Sequence, residues 1–405
     1  MFETLYSSAF AIHRHRTGAM TDERERYLKH CADQGGTIRS QRQRAELLLW
    51  FAERMQPTDR AGLNAARLQE LIRASPTPSK AYAIQAACHA RSWLKFLGWW
   101  QRSFDPIPFS TDLDQFVTWM RDERGLTTST VIQWQDAAAT FLRWCGKTGR
   151  DLATLHPDDI DAYFITYGAG RWSRVSISYI VAMLRAFLRH AASRGRCSNT
   201  LAAAIFGPRR YALETVPTTL SWDDVRRLIA GTASDAECDI RDRAILLLMA
   251  VYGLRRGEVA GLRLDQIYWK ARELQITRLK RSKPQTFPLV ESVAQALARY
   301  IDTVRPPVPY PEIFIRLHAP RVPMIAPSYY WLVSNRLRAL GIEGAKLGPH
   351  ALRHACATRM LAQGLTLKEI GDHLGHRSSQ STMTYTKVDM AALREVGDFD
   401  LGALQ

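Results

Sequence analysis

Apolar residues in the first hundred positions recur at intervals of three and four. In SQRQRAELLLWFAERM and AGLNAARLQELIRAS they line one face with charges opposite, which predicts amphipathic helices. SKAYAIQAACHARSWLKFLGWWQRSF keeps the same period, is rich in aromatics, and stops at the proline-containing DPIPFS. Its Trp93, Phe96, Trp99 and Trp100 read as core packing in preference to base stacking. A second helical block, about 112–205, holds DLDQFVTWMRDERGL, TSTVIQWQDAAATFLRWCGKTG, HPDDIDAYFITYG and RVSISYIVAMLRAFLRHAASRG, each bounded by a Gly or by a Ser, Thr, Asp or Pro start signal. GPRRYALETVPTTLS has no period and contains proline, the pattern of a linker between domains.

The pattern changes after about residue 220. SWDDVRRLIAG opens with a serine cap and an acidic first turn, and CDIRDRAILLLMAVYG is an apolar helix running into Gly253. QIYWK, ELQITR and TFPLV are short and alternating, which predicts a small antiparallel sheet. APSYYWLVSNRLRALG, HALRHACATRMLAQG and LTLKEIGDHLG return to helical spacing, each closed by a glycine. The fold class is therefore mainly α with a small antiparallel β-sheet. The expected division is a helical N-terminal domain (1–105), a helical domain (112–205), a linker (206–219), a mixed α+β domain (220–388) and a C-terminal tail (389–405).

Composition narrows the partners. The net charge is +16, and Lys+Arg exceed Asp+Glu by 6, 3 and 7 in residues 1–110, 111–215 and 216–405. An excess spread over folded domains suits a protein that lies along a polyanion, because every neutralised phosphate releases counterions. The six cysteines, Cys31, Cys88, Cys145, Cys197, Cys238 and Cys356, are scattered without a CxxC pair. That distribution predicts reduced thiols and a cytoplasmic setting. The sequence shows no uncharged apolar run of membrane-spanning length and no secretory leader pattern at its start.

In the third block, polar residues cluster where helices and strands end. They are Arg255 and Glu258 in YGLRRGEVAGL, Lys280 in ITRLKRSKPQTFPL, His350 and Arg353 in GPHALRH, His376 in LGH, and Tyr385. Singly each has a plain explanation. Arg-x-x-Glu is commonly a surface ion pair, and Arg278, Lys280, Arg281 and Lys283 read as a solvated hairpin tip. Together they can hold and transfer a phosphodiester. Arginine forks bind two non-bridging oxygens and stabilise a five-coordinate transition state. A phenol is a poor nucleophile without a base and positive charge beside it, and an alkoxide leaving group needs an acid such as lysine. No Walker loop and no run of paired carboxylates is present, so the site reads as free of metal and cofactor, with cations in the place of magnesium. Zinc held by His350, His354, His373 and His376 is a weaker alternative, since HALRH lacks the glutamate of HExxH.

From about residue 112 to 390 these motifs resemble the phage-integrase family of tyrosine recombinases. LRRGEVAGL resembles the segment of the first catalytic arginine, and PHALRHACATRML, LTLKEIGDHLGH and STMTYTKV resemble the family's most diagnostic block. Arg255, Lys280, His350, Arg353, His376 and Tyr385 fall on the matching positions in order. The Lys280 hairpin departs from the family by lacking flanking glycines, so choosing Lys280 over Arg281 or Lys283 rests on its spacing to Pro288.

The resemblance implies a core-binding (SAM-like) domain and a catalytic domain that clamp double-stranded DNA carrying specific recombination sites. Tyr385 is then the nucleophile, Lys280 the acid, His350 the base, and Arg255, Arg353 and His376 the phosphate grip. Glu258 supports Arg255 or His350. It further implies a tetramer on DNA, an accessory recombinase or DNA-bending factor as a candidate partner, and a bacterial, nucleoid-associated setting. A type IB-like topoisomerase and an inactive DNA-binding regulator are the rival readings. Residues 1–105 lie outside the resemblance and read as an arm-type DNA-binding module, an added core-binding layer or a protein-contact domain. In the tail, Met390, Leu393 and Val396 share one helical face, which suits packing on the chain's own domain or docking on a neighbouring protomer.

Overall fold

The computed structural model describes all residues except 75–78, 102–106, 169, 210–219, 279–283, 343–346, 377–381 and 383–405. Most of the linker, Lys280, Tyr385 and the C-terminal tail therefore lie outside the described residues. The chain forms two compact units. One comprises residues 1–63, 67–100 and 215–405; the other comprises 64–66 and 101–214.

In the first unit, the N-terminal helices Thr21–Asp33, Ile38–Ala52 and Lys80–Phe96 surround a core that includes Tyr27, Leu48, Phe51, Trp93 and Leu94. Two of them start where a hydroxyl can satisfy an orphan amide: Thr37 accepts from the Ser40 N–H and Ser79 from the Tyr82 N–H. The aromatics divide. Trp93 is fully buried and its indole donates to the Glu23 carbonyl at 3.2 Å, whereas Phe96 is more exposed and leans on Tyr27 and His30. Fully buried Arg24 is offset by local acceptors, donating to the carbonyls of Ala19 and His15.

The rest of that unit is the mixed part of the chain. Strands β1 (Ile267–Tyr268), β2 (Glu273–Thr277) and β3 (Pro284–Pro288) form an antiparallel sheet in that order, with Glu273 opposite Pro288 and Thr277 opposite Pro284. Two-residue alternation places Leu274, Ile276 and Phe287 on the buried side. The apolar helix Glu237–Val251 contributes Ala244 to Ala250 to the core, together with residues from Glu291–Thr303, Ala326–Ala339 and Pro349–Ala362. Tyr252 closes the central helix. Its hydroxyl donates to the Pro288 carbonyl at 2.8 Å and accepts from the Val290 N–H at 3.0 Å, tying helix end to sheet end.

The second unit is all helical. Ser110–Thr118, Thr128–Lys147, Pro157–Tyr163 and Arg174–Ser193 pack around a core that includes Phe116, Phe141, Trp144, Tyr163, Leu184 and Phe187. Thr127 and Ser173 cap the two long helices through the N–H groups of Thr130 and Ser176. Arg174–Ser193 is long and apolar enough to cross a membrane by length and composition, and it supplies this unit's core with Val181, Leu184, Phe187 and Leu188.

Candidate active site

The site is organised by one helix end. Leu367–Leu374 starts with a capping box, Thr366 with Glu369, and ends at Gly375, whose φ of 65° is left-handed and suits glycine. A helix leaves its last carbonyls without partners inside the helix, and their oxygens carry partial negative charge. Here four successive carbonyls are met by side chains from elsewhere. Gln285 Nε2 donates to Asp372 O (3.1 Å), Arg278 Nη2 to His373 O (2.5 Å), Arg353 Nη2 to Leu374 O (2.7 Å) and Arg255 Nη2 to Gly375 O (3.4 Å). The next residue is His376, whose N–H closes back on the Gly371 carbonyl at 2.9 Å.

Each arginine arrives for a local reason. Gly253, at φ 59°, turns the chain out of the central helix; a Cβ there would lie 2.5 Å from Leu374 Cδ1's partner methyl, Cδ2, so glycine is required twice over. Arg255 follows as the N-cap of Arg256–Ala260, and Glu258 accepts its backbone N–H at 2.8 Å and its Nη1 at 2.9 Å. Arg353 sits one turn beyond His350 in Pro349–Ala362, where it is 1% exposed and also donates to the Gly253 carbonyl at 2.6 Å. Arg255, His350 and Arg353 line one cavity of about 480 Å³ with Leu254, Tyr330 and Gly348.

Glu258 has a second partner. Its other oxygen accepts from Arg278 Nη1 at 2.8 Å, and the two side chains are 0% and 2% exposed. Arg278 thus contradicts its reading as part of a solvated tip. It follows β2 directly and continues the inward alternation of Leu274 and Ile276, so it is buried, with Phe287 beneath its guanidinium at 5.3 Å. The support expected of Glu258 for Arg255 is present, and the additional arginine is new.

Burial, then the charges of Arg353, Arg255, Arg278 and His350 in that order, hold the His376 imidazole down to about 4, so it is neutral at physiological pH. Its Nδ1 shares a hydrogen bond of 2.8 Å with the Thr382 hydroxyl. Thr382 is buried, so this residue of the small polar run is an anchor three positions before Tyr385. Lys280 and Tyr385 lie outside the described residues. The zinc alternative fares differently: among the described residues no three His, Cys, Asp or Glu side chains are placed to hold a metal ion.

The described groups combine three guanidiniums, one buried carboxylate and one neutral imidazole, an arrangement that can bind a tetrahedral anion. Comparison with known proteins gives the same frame. Residues 218–392 match the model of the phage integrase family, and residues 113–195 match that of the phage integrase N-terminal SAM-like domain. A putative integrase/recombinase, y4rF, of Sinorhizobium fredii (strain NBRC 101917 / NGR234) is 30% identical over 419 residues, covering 98% of this chain and 95% of that protein. The tyrosine recombinase XerD of Lacticaseibacillus casei is 30% identical over 278 residues, covering 67% of this chain and 92% of its own length. Among solved structures, the XerH site-specific recombinase bound to palindromic difH substrate shares the fold at a TM-score of 0.58 and 17% identity, over 87% of this chain and 95% of that one. By its family matches and by relatives aligned over most of their length, the chain belongs to the phage integrase family and is a tyrosine-type site-specific recombinase.

Proposed function

We propose that the chain recombines double-stranded DNA at specific sites by transesterification, with Tyr385 as nucleophile and with neither metal nor ATP. The observation that carries this is the convergence of Arg255, Arg353 and His376 on one helix end beside His350, with, among the described residues, a single buried carboxylate bonded to the arginines. Such a site retains positive charge for the phosphate and for the further charge of its transition state. Attack by the Tyr385 phenolate on the scissile phosphorus forms a 3′-phosphotyrosyl bond and releases the 5′-hydroxyl. His350 takes the phenolic proton and Lys280 protonates the leaving 5′ oxygen. The reverse attack by a 5′-hydroxyl from the partner duplex restores a phosphodiester, so no external energy is consumed.

In this reading residues 112–205 are the core-binding domain and 220–388 the catalytic domain of a clamp on DNA. Four protomers exchange strands in two rounds through a Holliday junction, with the tail from 389 to 405 docking on a neighbour. Support for a DNA partner comes from the XerH structure, which is bound to difH, and from the charge of +16. The setting is the bacterial nucleoid, with an accessory recombinase or DNA-bending factor as a further partner.

The test is a nicked suicide duplex built on inverted repeats from the DNA flanking the gene. The chain is expected to form a detergent-stable adduct through Tyr385 without magnesium, and Tyr385→Phe is expected to bind the duplex and form none. An adduct at another residue, or cleavage only with magnesium, overturns the proposal. Efficient relaxation of a supercoiled plasmid without such repeats would assign the chemistry to a topoisomerase instead.

A further inference from the structure

Arg278 belongs to none of the roles above, yet it is bonded to several parts of the site's framework at once. One guanidinium nitrogen donates to Glu258, the carboxylate that holds Arg255; another donates to the carbonyl of His373, three residues before His376. Its Nε donates to Gln285 Oε1 at 2.9 Å, and Gln285 in turn grips the Asp372 carbonyl. Arg278 and Gln285 flank the connection between β2 and β3, so the sheet is fastened to the helix end at both sides of that connection. Gly375 makes room for this: a Cβ there would lie 2.9 Å from Arg278 Nε.

We infer that Arg278 is a positioning residue for strand cleavage, locking the Glu258 carboxylate to the Leu367–Leu374 helix end so that Arg255 and His376 meet the same phosphate. The inference rests on the phosphate-grip reading above. Lysine at this position keeps a cation opposite Glu258, so no buried carboxylate is left uncompensated, but one ammonium cannot reproduce the planar fork that reaches Glu258, Gln285 and the His373 carbonyl together.

The experiment compares Arg278→Lys and Arg255→Ala with the parent in single-turnover cleavage of the suicide duplex. One substrate carries the ordinary scissile phosphodiester, and the other a methylphosphonate, which lacks one non-bridging charge and so depends less on arginine. Arg278→Lys is expected to bind the duplex within about twofold of the parent and to cleave the phosphodiester about 10²-fold more slowly, the scale of a small misplacement of reacting groups. On the methylphosphonate its penalty is expected to shrink to about tenfold or less, in parallel with that of Arg255→Ala. An equal penalty on both substrates, or loss of duplex binding along with cleavage, would make Arg278 structural and overturn the inference. An Arg255→Ala penalty that stays undiminished would overturn the phosphate-grip reading itself, and the inference with it, a result recognisably different from the first.

Discussion

Replacing Glu258 with alanine tests the framework most directly. Its carboxylate is fully buried and takes part in three charge-assisted or capping bonds, to the Arg255 N–H, the Arg255 guanidinium and the Arg278 guanidinium. Removing one partner of a buried ion pair costs about 3–5 kcal/mol, because the surviving charge has neither its partner nor water. The two survivors differ here. Arg255 is 26% exposed and regains some solvent, whereas Arg278 at 2% does not, so the lower end, about 3 kcal/mol, is expected. For a domain of this size that corresponds to a fall in Tm of roughly 6–12 °C. Calorimetry on the full chain reads it, and single-turnover cleavage reads the accompanying loss of Arg255 alignment, on the order of 10²-fold. Glu258→Ala combined with Arg278→Met should be less destabilised than the sum of the single changes, since only the partly exposed Arg255 then lacks its carboxylate and the fully buried charge is gone. A Tm within about 2 °C of the parent, together with normal cleavage, would show that the buried carboxylate holds nothing.

Two further outcomes are expected. Gly375→Ala adds a Cβ at φ 65° and crowds Arg278 Nε, so it should cost about 1 kcal/mol of strain and also slow cleavage, read by unfolding and by single turnover; a change in stability alone would detach this turn from the chemistry. His376, with its folded pKa pushed down to about 4, should titrate well below an ordinary imidazole in NMR spectra of the free protein. Between its unfolded value of about 6.5 and that folded value the unfolded chain binds more protons, so the stability this group supplies is complete above the upper limit and is lost as pH falls through the window. A midpoint near neutrality would refute the crowded-cation environment.

How much of this was readable in the sequence depends on whether the signal was local. Arg255 and Glu258 stand three apart before an apolar stretch, the spacing by which a glutamate caps its own helix, and Glu258 accepts the Arg255 N–H. His350 and Arg353 lie one turn apart, and both line the same cavity. The three short alternating segments formed the sheet expected of them. Arg278 was obscured by its basic neighbours, although the period of two in Leu274, Ile276 and Arg278 already placed it on the buried face. Thr382 had no such signal. Its burial comes from a long-range fit in which a Cβ on Gly371 would come within 2.9 Å of its hydroxyl, and no spacing in the chain announces that contact. The grouping of the first hundred residues with the mixed part of the chain was equally illegible, since one visible link, the Arg321 N–H donating to the Gln34 carbonyl, joins loops that nothing in their composition pairs.

The choice of carbonyls to hold the arginines has an electrostatic consequence. Three guanidiniums placed close together repel one another, and under the proposed phosphate grip added carboxylates would relieve that only by cancelling the charge a phosphate would meet. Glu258 is the one carboxylate bonded to them among the described residues, and it lies behind Arg255 and Arg278, fully buried. Further restraint comes from neutral acceptors, the Gly253 carbonyl, the Gln285 amide oxygen and above all the end of the Leu367–Leu374 helix, whose aligned peptide dipoles present partial negative charge without a net anion. Dipoles orient the guanidinium planes and leave the net charge of the cluster standing. His376 is neutral first because it is buried and then because the arginines beside it disfavour a further charge, so its imidazole adds nothing to the repulsion.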